Sequence, residues 1–461
     1  MQKYDWLVVG GGFQGIISSA LLAKHSKNIA IMDRGAGLGG VLRGIEHNEL
    51  ILDLGCHVFN NDKSEVTELM LEILDGKYHP ISIEYAAVTE GYKKEELAVP
   101  DFSYWPKEKN INAFYEILKN GIERQDGNDS FDNLQDWMNS AFGADAGAIV
   151  GTIMEKASNY KASSLDQSAV YRTPLGCIHL GGDENVIAKI KQQFSEINKV
   201  LALPSQKDEM RFYRDAEREF SHRTFYPSEH GMRGFGEAAE KHLTNKGVDF
   251  LLGKIIKSIT NSLDGSLIIE SDDGQRFIAN NLIWTLDVGL LSNILFGENP
   301  LRDHALTVPM TLLYYFVDQE QKPAYDYIHD FRSDTFGYRI SAPGFYGNQV
   351  NSKGQSYYCV EIPSKMDSEI WKNTSHYYDI VWQQMKDIGM IDFEKYQDVT
   401  HLNSPVSYPM MRSGYRPFYD EIDDNVRREF PNIINVNMNA YTKNEMVETI
   451  KSKMNTLDIL K

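Results

Sequence analysis

The sequence predicts an α/β fold in which a parallel-sheet, nucleotide-binding domain is interleaved with a second domain of mixed α+β character. Three observations carry this. A glycine-rich loop sits between an apolar run and a small-residue helical run near residue 10. Strand-like runs recur far downstream, over residues 250–286 and 308–362. A chain of 461 residues also exceeds what one hydrophobic core usually serves.

The first apolar run, residues 6–9 (WLVV), reads as a buried parallel strand. It leads into GGGFQG, where Gly10, Gly12 and Gly15 satisfy G-x-G-x-x-G, with Phe13 and Gln14 between the last two. Residues 16–24 (IISSALLAK) then read as a helix, small enough at Ser18, Ser19, Ala20 and Ala23 to pack closely on a sheet. The first glycine permits a tight turn, the second lets a pyrophosphate approach the backbone, and the third lets helix and strand meet. The helix N-terminus points free N–H groups at the phosphates. Residues 29–32 (IAIM) end in Asp33, eighteen residues beyond Gly15, where an acid is expected to hold ribose hydroxyls. A glycine turn without a nucleotide is the bland alternative. The ordered succession of strand, loop, helix, strand and acid argues for a Rossmann-type unit instead.

This fingerprint serves NAD and FAD alike, and the next stretch separates them. Asp33 and Arg34 lead to Gly39, Gly40, Val41, Leu42 and Arg43, and then to residues 53–59 (DLGCHVF). Here the sequence resembles the FAD-dependent amine oxidase superfamily, especially its protoporphyrinogen-oxidase-like and UDP-galactopyranose-mutase-like branches. In those proteins a Gly-Gly pair follows the second strand and a D-x-G-x-H-x-F run follows soon after. The resemblance implies FAD as cofactor and an FAD-binding domain of the glutathione-reductase-2 type. It also implies that Gly40, Val41 and Leu42 follow the pyrophosphate and ribityl chain. His57 would lie near the flavin ring and is the best single candidate for a catalytic group. The competing reading of His57 is an imidazole satisfied in a core turn.

The resemblance continues more loosely. Residues 98–118 resemble the start of the substrate domain in the mutase-like branch, and residues 136–165 the helical segment of the oxidase-like branch. Taken alone, both are amphipathic helices with aromatic faces. Residues 226–236 (YPSEHGMRGFG) open a helix over 237–245, followed by short strands and a hairpin turn at Asp273 and Gly274. By resemblance this block returns to the FAD domain, with Ile256 at the adenine-contacting position and Thr285 at the end of the last strand. The β-rich runs at 308–316, 338–342 and 357–362 suggest the substrate-domain sheet. The implied division gives residues 1–84, 225–294 and 400–461 to the FAD-binding domain, and 85–224 and 295–399 to the substrate domain.

Towards the end of the chain the match weakens. The family carries a Gly-Asp or Gly-Arg pair after a last strand, but Asn437 and Met438 follow residues 433–436 (IINV) here. Thr442 and Glu445 form a capping box for a terminal helix. Many amine oxidases also carry a lysine on a substrate-domain strand, and residues 310–316 (MTLLYYF) have none. Oxygen-dependent amine oxidation is therefore less supported than flavin binding. Tyr408, as a catalytic candidate, and Tyr415, as a substrate candidate, offer rings with hydrogen-bonding tips for the flavin face, against plain packing. Arg223 matches a basic residue of the mutase-like branch and is a second substrate candidate. Arg172, Arg332 and Arg339 are further basic candidates, able in pairs to clamp a carboxylate or phosphate.

Composition sets outer bounds. The 65 acidic residues against 47 basic ones leave a net charge of −18, which argues against a nucleic-acid partner. No apolar stretch approaches the roughly 18 residues of a membrane helix, and no signal-peptide pattern opens the chain. Cys56, Cys177 and Cys359 are too few and too scattered for a disulfide framework or zinc site, which fits a cytoplasmic protein without a metal. Cys56 reads as a buried small hydrophobe rather than a flavin tether. The expectation is an FAD-dependent oxidoreductase moving a hydride from a small molecule, such as an amine, to flavin N5. The alternatives are a flavin-dependent mutase acting on a sugar nucleotide and a non-catalytic FAD-binding protein.

Overall fold

The structure is a computed structural model and describes residues 1–61, 64–81, 83–124, 131–204, 224–436 and 443–456. The chain divides into two units. Met1–Pro80, Thr224–Asp303 and Tyr415–Lys461 form the first, and Ile81–Arg223 and His304–Gly414 the second.

The first unit is built on a twisted sheet whose parallel core runs Asp249–Leu252, Ile29–Asp33, Gln2–Val9, Arg276–Trp284. Leu267–Ser271 and Ile256–Asn261 extend it as an antiparallel meander, and Ile433–Asn435 joins the far end of Arg276–Trp284. Leu7, Val8, Ala30, Ile31, Leu282 and Ile283 are buried, as expected for strands covered on both faces. Register places Val9 opposite both Met32 and Trp284. Three strands therefore end at one edge, and Gly10, Asp33 and Thr285 stand there. In open α/β sheets this carboxyl edge is where ligands bind. The Phe13–Leu22 helix leaves the edge directly, burying Ser18, Ser19 and Ala20, and the Lys443–Thr456 helix packs against it.

The Arg233–Asn245 helix begins earlier than the expected residue 237. Its glycines read as loop formers, yet they permit close approach. A Cβ on Gly234 would stand 2.2 Å from Glu229 O, and one on Gly236 would stand 2.6 Å from Leu38 O. The helix stops before Gly247, whose φ of +82° suits a C-terminal glycine. Gly274, at φ +79°, turns the hairpin that the sequence places there.

The second unit carries a sheet of order Asp398–Met411, Ala305–Asp318, Gln355–Pro363, Arg339–Ser341, Tyr327–Asp330, Tyr85–Thr89, Tyr92–Glu95. Alternation along the strands gives it two faces. Leu313, Tyr315, Val317, Tyr358 and Val360 pack with Val381, Trp382 and Met385 of the Tyr378–Asp387 helix. A separate helical core, with Met138, Phe142, Val150 and Met154 at its centre, takes in Leu306, Val308 and Met410 from one end of the sheet. The Asp398–Met411 strand pairs with Ala305–Asp318, so the return to the first unit begins at Tyr415 rather than at residue 400. This is an edge strand interrupted by Pro405 and Pro409, with a register shift between Val308 and Met310. Proline at an edge or bulge hides a strand from pattern reading. Among the described residues no helix is long and apolar enough to cross a membrane.

Candidate dinucleotide-binding site

The carboxyl edge of the first sheet is shaped by glycines with different duties. Gly10 takes φ +102°, and a Cβ there would stand 2.2 Å from Thr285 Oγ1. That hydroxyl donates to Val9 O at 2.8 Å, so the end of one strand seals the turn after another. A Cβ on Gly15 would lie 1.8 Å from Gly10 O, which leaves no room for a side chain between helix and strand. Gly12 is the opposite case, because a Cβ there meets nothing within 4 Å. Its backbone faces open space at the start of the Phe13–Leu22 helix, where no side chain caps the first turn. Uncapped N–H groups at a helix start attract an anion.

A second glycine loop lies against the first. Gly39 N–H donates to Gly11 O at 2.8 Å. Gly40 takes φ +56°, and its Cβ would stand 3.0 Å from Gly12 Cα. Leu42 is buried, while Val41 and Leu286 present apolar side chains to solvent beside this bare backbone. Asp33 braces both loops, with Oδ2 accepting from Gly11 N–H at 2.6 Å and Oδ1 from Gly35 N–H at 2.6 Å. Each carboxylate oxygen keeps a lone pair for a ribose hydroxyl. Arg34 is exposed. Gln14 Oε1 is buried without a hydrogen-bond partner among the described residues, and a buried acceptor normally has one. These features fit a bound dinucleotide: a cradle without side chains, a free helix start, a ribose acid and an orphan acceptor.

Ile256 is half-buried and opens an antiparallel strand opposite Ser271. Its neighbour Ile255 is exposed, yet that residue's backbone is engaged by Asp272, donating to Oδ1 at 3.1 Å and accepting from N–H at 2.8 Å.

The 53–59 run is anchored at both ends. Asp53 is fully buried and accepts from the Tyr226 hydroxyl and from Met232 N–H at 3.1 Å. Burial pushes its carboxyl up to about 7, against those hydrogen bonds and the charge of Lys443. Phe59 sits among Phe235, Phe225 and Phe13, with ring centroids 4.9, 5.3 and 6.2 Å away. Lys443 Nζ donates to Val58 O at 3.1 Å, and Asn444 Nδ2 to Asn60 O at 3.3 Å, so the terminal helix holds this run in place. His57 and Cys56 are half-buried, the latter contrary to its reading as a buried hydrophobe.

The remaining candidates are placed differently. Tyr408 belongs to the second sheet, where its hydroxyl donates to Ala157 O at 2.6 Å and its ring packs on the helical core. Tyr415 is 5% exposed and begins the Arg416–Glu429 helix, edge-on to Tyr419. Arg332 and Arg339 do form bidentate clamps, but on the chain's own carboxylates. Arg332 holds Asp330 at 2.9 and 2.7 Å, and Arg339 holds Glu361 at 2.6 and 2.8 Å. The expectation that they stand ready for a ligand carboxylate or phosphate is corrected accordingly. Arg172 is half-buried, and desolvation pushes its guanidinium down to about 10. Arg223, Asn437, Met438 and Thr442 lie outside the described residues. Among the described residues no three His, Cys, Asp or Glu side chains converge as metal ligands. Sequence reasoning missed the tie between Asp53 and Tyr226 and the contact of Glu240 with Leu38 N–H. Neither leaves a local signal, because each joins segments far apart in the chain.

Residues 8–73 match the family described as an NAD(P)-binding Rossmann-like domain. No curated protein matches the sequence. Among solved structures, reduced UDP-galactopyranose mutase is similar at 14% identity, over 99% of this chain and 94% of its own, with a TM-score of 0.68. A redesigned putrescine oxidase follows at 11% identity, over 99% of each chain, with a TM-score of 0.65. A protein designated a protoporphyrinogen oxidase, from Exiguobacterium, is similar at 13% identity over 100% of this chain and 99% of its own, with a TM-score of 0.63. At such identities the likeness extends to the fold and no further. The chain thus shares the fold of these solved structures along nearly its whole length, with an NAD(P)-binding Rossmann-like segment over residues 8–73.

Proposed function

We propose that this protein is an FAD-dependent oxidoreductase acting on a small molecule. The observation that carries the reading is the pair of abutting glycine loops, with open backbone at Gly12 and a free helix start behind it. The first-turn N–H groups of the Phe13–Leu22 helix and the backbone of Gly40 would hold the pyrophosphate. Asp33 would hold the adenosine ribose and Gln14 would offer its orphan acceptor. The 53–59 run, fixed by Asp53 and Lys443, would present His57 to the isoalloxazine. When bound, the flavin supplies a hydride acceptor. The chain supplies the binding, orients the ring and excludes water.

The similar structures include a mutase as well as oxidases. Arg332 and Arg339 are already paired with Asp330 and Glu361, which favours oxidation over a reaction on a diphosphate-linked sugar. The direct test has three readouts on the purified full chain. Added FAD is expected to be retained through gel filtration, with the visible absorption of bound oxidised flavin. Under anaerobic conditions, a panel of mono- and polyamines is then expected to bleach that band. Isomerisation of UDP-sugars by the reduced protein, without bleaching by amines, would support the mutase reaction instead. A chain that retains no flavin would overturn both.

A further inference from the structure

We infer that the Arg233–Asn245 helix presets the second glycine loop, with Glu240 as the positioning residue, so that a carboxylate outside the cradle sets part of the cofactor affinity. The inference rests on the dinucleotide reading above and adds a regulator of that same site.

Residues 35–38 form neither helix nor strand, Gly39 bridges to Gly12, and Gly40 opens a short 3-10 turn, with Gly39 and Gly40 both at positive φ in this glycine-rich stretch. Such a segment loses more conformational freedom on ordering than any other of its length. Something must hold it if the cradle is to exist before its ligand arrives. The Asp33 carboxylate fixes only its start, through Gly35 N–H. Gly253 N–H reaches Gly35 O, Arg43 reaches Gly37 O and Gly39 N–H reaches Gly11 O, while Leu38 between them is held by one face of a helix some two hundred residues distant in the chain.

Arg233, Gly236 and Glu240 are spaced by three and four residues, so they share that face. Glu240 Oε1 accepts from Leu38 N–H at 2.6 Å. A Cβ on Gly37 would stand 2.8 Å from the same oxygen, so the carboxylate fits tightly into the turn. At Gly236 the helix backbone itself meets the loop, and a Cβ there would lie 2.6 Å from Leu38 O and 3.3 Å from Gly39 Cα. Arg233 Nε closes the far end by donating to Arg43 O at 2.8 Å. Gly39, next to the clamped residue, passes the constraint on by donating to Gly11 O.

The bond from Leu38 N–H is charge-assisted, a class roughly twice as strong as a neutral pair. Without Glu240 the loop would have to order at the moment of binding, which lowers affinity without removing any ligand contact. A contact that merely supports the fold would instead change melting and leave the affinity of folded protein untouched.

The experiment uses the full chain as wild type, Glu240→Ala, Glu240→Gln and Gly236→Ala. FAD dissociation constants are measured by fluorescence quenching, and amide exchange of residues 35–43 is followed in the FAD-free protein. Glu240→Ala should weaken FAD about tenfold and speed exchange in the loop. Glu240→Gln keeps an acceptor oxygen and should restore most of both. Gly236→Ala favours the helix yet drives a methyl into Leu38 O, so it tests the brace even if Glu240→Ala folds poorly. Unchanged loop exchange in both Glu240→Ala and Gly236→Ala overturns the inference whether or not FAD binds. So does unchanged FAD affinity in both. A wild type that binds no FAD but shows the exchange differences overturns the cofactor reading and leaves the brace standing.

Discussion

Gly12, at the cap of the Phe13–Leu22 helix, and Gly15, within its first turn, lie three residues apart and are expected to respond oppositely to alanine. Gly12 has backbone angles any residue can adopt, and its missing Cβ faces open space. Gly12→Ala should leave the melting temperature within about 2 °C of wild type while weakening FAD more than about tenfold, since the methyl enters the room that a pyrophosphate needs. Gly15→Ala puts a methyl 1.8 Å from Gly10 O and should destabilise by about 3 kcal/mol or more, read by chemical denaturation. Asp53 gives a pH prediction. Its carboxyl rises from the ordinary 3.8 to about 7 in the fold because burial penalises the anion. A raised acid contributes stability below its unfolded value and loses it as pH climbs from about 4 to about 7. Asp53→Asn should abolish that slope and gain on the order of 1–2 kcal/mol at pH 8, less than the full shift because Met232 N–H loses an acceptor. A denaturation midpoint at pH 8 no higher than wild type would contradict this.

Among the elements, those with local instructions were legible and those defined by distant partners were not. The strand, glycine loop and helix from Gln2 to Leu22 needed only periodicity and glycine. The hairpin at Gly274 needed only Asp-Gly. The Asp398–Met411 strand was invisible because its prolines and polar residues suit an edge. The Arg233–Asn245 helix looked shorter than it is because its glycines serve tight approach to other segments. The candidate site was legible in the same proportion: Gly10, Gly12, Gly15, Asp33 and Gly40 came from a motif, while Glu240 and Tyr226 required the fold. The arginines were legible as clamps but not as clamps already filled. Arg339 and Glu361 join neighbouring strands of the second sheet, largely out of water. Glu361→Ala strands a guanidinium there and should lower stability by about 3 kcal/mol. Arg339→Ala should do the same, without altering the affinity of any diphosphate measured by calorimetry.

Across the whole molecule two buried groups, one in each unit, carry opposite responses to acid. Asp53 makes the first unit more stable as pH falls towards about 4. His329, in the second unit, is fully buried among Tyr327, Phe331 and Tyr338, and burial with the nearby Arg339 charge holds its imidazole well below the ordinary 6.5. A depressed base costs stability as pH drops through its unfolded value, because only the unfolded chain takes the proton readily. Burial of Asp326 raises its carboxyl to about 6 and offsets part of this, so acidification from pH 7 to 5 should loosen the strands around His329 by the remainder, visible as faster amide exchange around residues 327–341. His329→Phe should remove that loosening, and unchanged protection of those amides in the wild type would refute it.

The register of Val9, Met32 and Trp284 also bears on timing. Thr285 locks the Gly10 turn by bonding to Val9 O across 276 residues of chain. At ribosomal speeds of about 5–20 residues per second, that gap is some tens of seconds of synthesis. Until it has passed, the nascent segment has a glycine loop without its seal and strands with bare edges, the condition in which chains aggregate. A ligand of this glycine loop is thus expected to matter only once residue 285 of the 461 has been made, past the middle of translation, rather than at its beginning.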